Sequence, residues 1–386
     1  MSKMHAAPPK DEASRRRPFH RGEIVNYNPR RDDYRSTSFL QDYVLRGWLP
    51  SAPFITRDTR VTAFGSCFAA NITRHLSAMG YDLSGTRDPG VYISRMGDGM
   101  VNMPAILGQF EWALENKRPP DNLWHGFDAE TFDLDEDIRG RTRNIFLSTD
   151  FFIITLGLSE IWYDEETGST FWRAVPEEHF DASRHKFRVL SVAETKASIA
   201  EIYRLIRLHV PKARVLFTVS PVPLSATFRP VSCLSANMVS KAVIRAALDE
   251  FLRDNAPDVG QSLFYFPSME LVQLGFMDPW KDDGRHPKSY VLDTVMKTFE
   301  AAYCIGESNF EDANAMFQMF RAHNLAEIAE LVPQDGTHAE ATSAARVAQR
   351  AGRTARREAK AKEKKLARGL RRRRRRESNG ADTTPG

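Results

Sequence analysis

Residues 150–157, Asp150-Phe151-Phe152-Ile153-Ile154-Thr155-Leu156-Gly157, decide the fold class. The run from Phe151 to Leu156 is apolar almost without interruption. A strand with one face in water alternates apolar and polar residues, whereas a strand covered on both faces by helices does not, and that covering is the habit of parallel sheets. The run is strand-sized and far short of the roughly 18 apolar residues that mark a membrane-spanning helix. Upstream, Arg60–Phe64 reads as a second strand ending at Gly65-Ser66-Cys67. There Phe68, Ile72, Leu76 and Met79 take up helical spacing and Gly80 supplies a stop. Downstream, Ser191-Val192-Ala193-Glu194 forms a capping box for a helix to about Leu208, which Pro211 ends. Ala213–Val219 is a strand, Ser235–Arg253 a helix, Leu263–Phe266 a strand and Pro287–Tyr303 a helix. This alternation predicts an α/β fold, a three-layer α/β/α sandwich with a mainly parallel sheet.

Outside that core the composition shifts. Residues 1–40 are polar, with Arg and Pro, and read as a flexible arm. The body occupies 41–306, a helical extension 307–332, and a disordered basic tail 333–386. The formal net charge of +4 averages two unlike regions. Residues 341–386 hold 16 basic and four acidic residues, a local +12 that includes six consecutive arginines at Arg371–Arg376, and this leaves −8 for residues 1–340. Such a block is solvated and suits anionic partners: lipid headgroups of a membrane surface or nucleic-acid phosphates, contacted nonspecifically. No aromatic residue falls within 341–386, so base stacking is not offered.

Three cysteines, Cys67, Cys233 and Cys304, are scattered and form no CxxC pair, which fits a reducing cytoplasm rather than a disulfide framework. The N-terminal residues lack an apolar signal core. No GxGxxG, GxxxxGK[ST], HExxH or GxSxG string occurs, so no nucleotide cradle, metal or other cofactor is expected, and the α/β-hydrolase elbow is absent.

Ligand sites in such sheets gather at the carboxyl ends of strands. Three segments sit there: Gly65-Ser66-Cys67, Gly157-Leu158-Ser159-Glu160, and Asp283-Gly284-Arg285-His286-Pro287. A serine hydroxyl becomes nucleophilic when a base takes its proton and a third group orients that base. Ser66 opens a helix, whose N-terminus favours a developing negative charge. His286 is the candidate base and Asp283, three residues earlier, its orienting acid. Cys67 is an alternative nucleophile, more simply read as a small buried side chain. His179 and His185, with Trp162 and Trp172, are read as either a glycan pocket or ordinary loop residues, and His75 as structural.

Several strings together resemble one family. Phe64-Gly65-Ser66-Cys67-Phe68-Ala69 is similar to the signature of the GSCFA family, which in turn resembles the SGNH/GDSL hydrolases. Thr155-Leu156-Gly157, Ser220-Pro221-Val222, Ser240-Lys241, Tyr265-Phe266-Pro267-Ser268 and the Asp283/His286-Pro287 block extend the likeness over about 60–305. The resemblance implies a flavodoxin-like SGNH-type fold with Ser66, His286 and Asp283 as the triad. It also implies an oxyanion hole: Gly90 is the candidate glycine, Gly157 aligns with the Gly-x-Asn-Asp block, and Ser159 then stands where an Asn is usual, with Asn102 as a substitute donor or a helix cap. The implied function is a serine esterase or O-acyltransferase acting on acyl groups, acetyl above all, of a small molecule or glycan. The rivals are a catalytically weakened glycan-binding or scaffolding module tethered by its tail, and a nucleic-acid-binding protein. The expected location is cytoplasmic, with the tail reaching the inner membrane surface.

Overall fold

The structure, a computed structural model, describes residues 24–83, 88, 90–95, 101–118, 135–172, 175, 177–306 and 308–331. The 333–386 tail and residues 1–23 of the N-terminal arm lie outside the described residues.

Four parallel strands form the central sheet: β1 (Val61–Gly65), β2 (Phe151–Leu156), β5 (Arg214–Val219) and β6 (Leu263–Phe266), side by side in that order. Val61 pairs with Phe151, Phe151 with Arg214, and Val215 with Leu263. Every residue of β2 is buried, as its unbroken apolarity predicts. Successive side chains point to opposite faces of a strand, so β2 feeds two cores. Phe152, Ile154 and Leu156 join a layer with α3 (Met103–Glu115), α4 (Glu136–Ser148), α5 (Val192–His209) and α6 (Cys233–Asp254). Phe151 and Ile153 join the other layer, with α1 (Cys67–Ala78), α7 (Ser268–Gly275), α8 (Ser289–Tyr303) and α9 (Phe310–Leu331). The three-layer α/β/α sandwich is therefore the fold. A short turn, α2 (Tyr92–Arg95), precedes α3.

Local chemistry sets the element ends. Ser191 and Glu194 make the reciprocal capping box on α5. Asn102 caps α3 by accepting from Ala105 N–H at 2.9 Å. α9 packs along α8, and the chain before β1 is fastened to it: Phe39 stacks on Phe317 at 4.9 Å, and Leu40 N–H donates to Asn314 Oδ1 at 3.0 Å. The arm predicted for 1–40 thus merges into the body by Phe39, because its apolar residues find a partner in α9.

One piece departs from the predicted alternation. β3 (Glu160–Asp164) and β4 (His185–Val189) form a separate antiparallel pair, with Trp162 opposite Phe187. It stands beyond the carboxyl end of β2 and forms a wing over that edge of the sheet. Among the described residues no helix is long and apolar enough to cross a membrane.

Candidate active site

β1 ends at Gly65 and α1 starts at Cys67, so Ser66 is the N-cap between them. Gly65 has φ +125°, and a Cβ there would stand 2.2 Å from the Thr155 carbonyl oxygen on β2. Only glycine meets both demands. The Ser66 N–H donates to that same Thr155 oxygen at 3.1 Å, which ties the turn to the neighbouring strand end. Ser66 is 3% exposed, and its Oγ accepts from the Phe68 N–H at 3.3 Å.

The acid and the histidine come from one loop. A bridge between Trp280 and Pro287 closes it, and Gly284 turns it at φ +66°. Asp283 Oδ1 accepts the backbone N–H groups of Arg285 and His286, each at 2.9 Å. Its Oδ2 lies 2.6 Å from His286 Nδ1. The hydrogen bond from the His286 ring, with those two N–H groups, holds the Asp283 carboxyl well below the usual carboxylate range. An ionised carboxylate only accepts, so the ring proton sits on Nδ1 and Nε2 is left as the basic nitrogen.

Ser66 and His286 line one cleft of about 500 Å³ at the carboxyl ends of the strands. They share its wall, and no hydrogen bond joins them directly. Gly157 also lines the cleft. Its N–H donates to Val101 O at 3.0 Å, and a Cβ on it would meet Val101 Cβ at 2.7 Å. α6 holds this turn from behind: Lys241 Nζ donates to Gly157 O at 2.7 Å, and Ser240 Oγ accepts the Ser159 N–H at 2.8 Å.

The remaining expected donors are either engaged elsewhere or set off the cleft. Asn102 lines the cleft, but besides capping α3 its Nδ2 donates to the Phe171 and Trp172 carbonyls at 3.3 and 3.2 Å. Gly90 is not among the cleft-lining residues; its N–H donates to Asp88 Oδ1 at 2.8 Å, and Arg141 packs where a Cβ would be. Ser159 is fully buried off the cleft, with its Oγ unpartnered. His75 pairs with Glu300 on α8, a structural link between helices. Of the four residues read as a glycan pocket, Trp162 and Trp172 line the cleft. His185 instead packs on Phe171 and Phe180, and His179 stays half-exposed beside Glu178. The Cys67 side chain lies outside what is described. Among the described residues no group of His, Cys, Asp and Glu side chains could hold a metal ion.

Residues to which the sequence assigned no role also shape the cleft. Ser220 follows β5, and its hydroxyl, which accepts from the Val222 N–H at 3.3 Å, keeps its own proton to donate. Glu160, Phe187 and Phe228 form the wing side. Ser220 stood in a recognised Ser-Pro-Val string, so its position at a strand's carboxyl end was the available signal. Phe228 lies in a loop with no pattern to single it out.

The serine at the end of β1 and the acid–histidine loop before α8 both fall within one family's span. The chain belongs to the GSCFA family, whose model matches residues 60–299. No curated protein and no solved structure matches it.

Proposed function

We propose that the protein is a serine esterase or O-acyltransferase of SGNH type, moving acyl groups, acetyl foremost, on a hydroxylated acceptor such as a glycan. One observation carries this reading: Ser66 and His286, whose ring Asp283 holds, line a single cleft. Ser66 Oγ attacks the acyl carbonyl and its proton passes to His286 Nε2. Asp283 keeps the ring oriented and stabilises the imidazolium without itself taking the proton. Collapse breaks the bond to the leaving alcohol, which takes the proton back from His286. Water or an acceptor hydroxyl then repeats the sequence on the acyl-enzyme, giving hydrolysis or transfer. The N-terminal end of α1 and the Ser220 hydroxyl are the groups available to the oxyanion, because the Asn102 and Gly90 donors are committed. Loss of one such donor typically costs about 10²–10³ in rate.

A serine-directed fluorophosphonate tests this. The wild-type protein is expected to be labelled and Ser66→Ala not. A folded wild type that resists labelling, or a Ser66→Ala variant labelled equally, would overturn the reading. The committed oxyanion donors favour a second reading, a glycan-binding module with weakened catalysis, and that is the outcome in which acetylated sugar binds but is not turned over. The basic residues of 341–386 add contact with anionic surfaces. Their deletion is expected to abolish salt-sensitive binding to anionic vesicles or nucleic acid, and unchanged binding would remove the tail from that role.

A further inference from the structure

The wing formed by β3 and β4 supplies the cleft with a wall of a different character from the Ser66 end. Trp162 packs edge-on against Phe228 at 5.1 Å and near Phe187 at 5.5 Å, and Phe187 meets Phe228 at 5.4 Å. Trp172 lines the same space. One charged group in this wall lacks an ionic partner. Glu160 is 7% exposed and lines the cleft, yet its carboxylate accepts a single hydrogen bond, from the Thr227 hydroxyl to Oε1 at 2.9 Å. Among the described residues no Lys, Arg or His forms an ion pair with it. Buried polar groups are normally satisfied, and those that are not call for a specific explanation.

A ligand that supplies what is missing has definite chemistry. It offers donors to the Glu160 carboxylate and an apolar face to the aromatic rings. An anionic ligand is repelled by the carboxylate, and a purely apolar one leaves its remaining lone pairs unpaired, which sites of this kind reject strongly. A neutral ring with hydroxyls on its edge and C–H bonds on its faces fits both. We infer that Glu160 and Trp162 form the acceptor subsite of this cleft, holding a neutral hydroxylated ring of the sugar type beside Ser66, with Glu160 the specificity-determining residue. Its catalytic consequence rests on the proposed role of Ser66; its binding consequence does not.

The test compares the full-length wild type with Glu160→Gln, which removes the charge at constant shape, and Trp162→Ala, which removes the apolar face. The substrates are an O-acetylated methyl glucoside, the matching glucuronide, and 4-nitrophenyl acetate, which carries no sugar. Both variants are expected to lose roughly tenfold or more in kcat/KM for the glucoside, through KM: Glu160→Gln by weakening a charge-assisted hydrogen bond, Trp162→Ala by removing apolar contact. The loss is expected to be clearly larger on the glucoside than on 4-nitrophenyl acetate or in fluorophosphonate labelling, and Glu160→Gln narrows the preference for glucoside over glucuronide. Equal losses on all substrates, or none on any, overturn the inference. Should the wild type prove catalytically silent, saturation-transfer NMR with the unacetylated methyl glucoside decides separately. Binding lost in both variants keeps the subsite while sinking the catalytic reading. A labelled, active wild type that ignores the glucoside sinks the subsite alone.

Discussion

Asp283 holds His286 twice over, with Oδ2 at 2.6 Å from the ring Nδ1 and Oδ1 accepting the His286 backbone N–H at 2.9 Å. One carboxylate therefore fixes both the loop and the tautomer, although each side chain is nearly half exposed to solvent. The division of labour between the two oxygens explains why an acid three residues ahead of the histidine suffices, with Gly284 making the turn.

The same division predicts the effect of Asp283→Asn. The two backbone N–H groups keep the amide oxygen, so the amide nitrogen faces His286 Nδ1. That nitrogen donates, and the ring proton must move to Nε2, the atom needed to accept from Ser66. The loop should stay folded while kcat falls by about 10³–10⁴. Steady-state kinetics on 4-nitrophenyl acetate, with circular dichroism as the folding control, checks this. A variant with near-normal kcat would show that Asp283 only builds the loop.

Gly65 carries a second prediction. An alanine at this position adds a methyl group 2.2 Å from the Thr155 carbonyl at a backbone angle of +125°. It would push apart β1 and β2 at the point where the Ser66 N–H binds that carbonyl. Strain at such an angle costs about 1–3 kcal/mol and overpacking about 1–3 kcal/mol more. Gly65→Ala should thus lower unfolding free energy by at least about 2 kcal/mol in urea denaturation. A change within roughly 0.5 kcal/mol, the size usual for surface substitutions, would mean the turn relaxes freely.

How much of this was legible beforehand follows physical lines. Phe151–Leu156 announced a doubly covered strand because burial on both faces leaves no polar position, and Ser191 with Glu194 announced a helix start because their exchange of hydrogen bonds is local. Asp283 and His286 were readable as a pair because three residues of chain connect them. The wing was not readable. Trp162 and Phe187 are 25 positions apart, β4 is only partly buried along its length, and only cross-strand pairing brings them together. Gly90 and Asn102 show the opposite limit. Their residue types suit an oxyanion hole, but Asp88 and the Phe171 and Trp172 carbonyls, which the sequence does not rank as competitors, take their donors.

Ser240 tests the support behind the cleft. Its hydroxyl is the acceptor for the buried Ser159 N–H, next to the Gly157 turn that Lys241 holds. Ser240→Ala leaves that N–H without a partner, a loss of about 1–3 kcal/mol. Because the turn forms part of the cleft wall, kcat/KM should fall together with stability. Equilibrium unfolding and kinetics on the same preparation provide the check, and a fully stable but inactive variant would assign Ser240 a direct part in the reaction.

Glu327 on α9 links the extension to the Asp283–His286 loop and makes that link sensitive to acid. Its Oε2 accepts from Lys288 Nζ at 3.1 Å and Tyr290 OH at 2.6 Å, and Lys288 follows His286 by two residues. Burial works to raise the Glu327 pKa, but the hydrogen bonds from Tyr290 and Lys288 outweigh it and the net shift is downward. A carboxylate whose folded pKa is lowered contributes stability in full above its unfolded value, near 4.3, and loses it as pH falls through the lower folded value. Glu327→Gln should therefore melt below wild type at pH 7, and the two melting curves should converge as the pH drops below about 4. Melting temperatures of both proteins measured from neutral to acidic pH decide the matter. A constant gap across that range would show that the Glu327 charge does not fasten α9 to the start of α8.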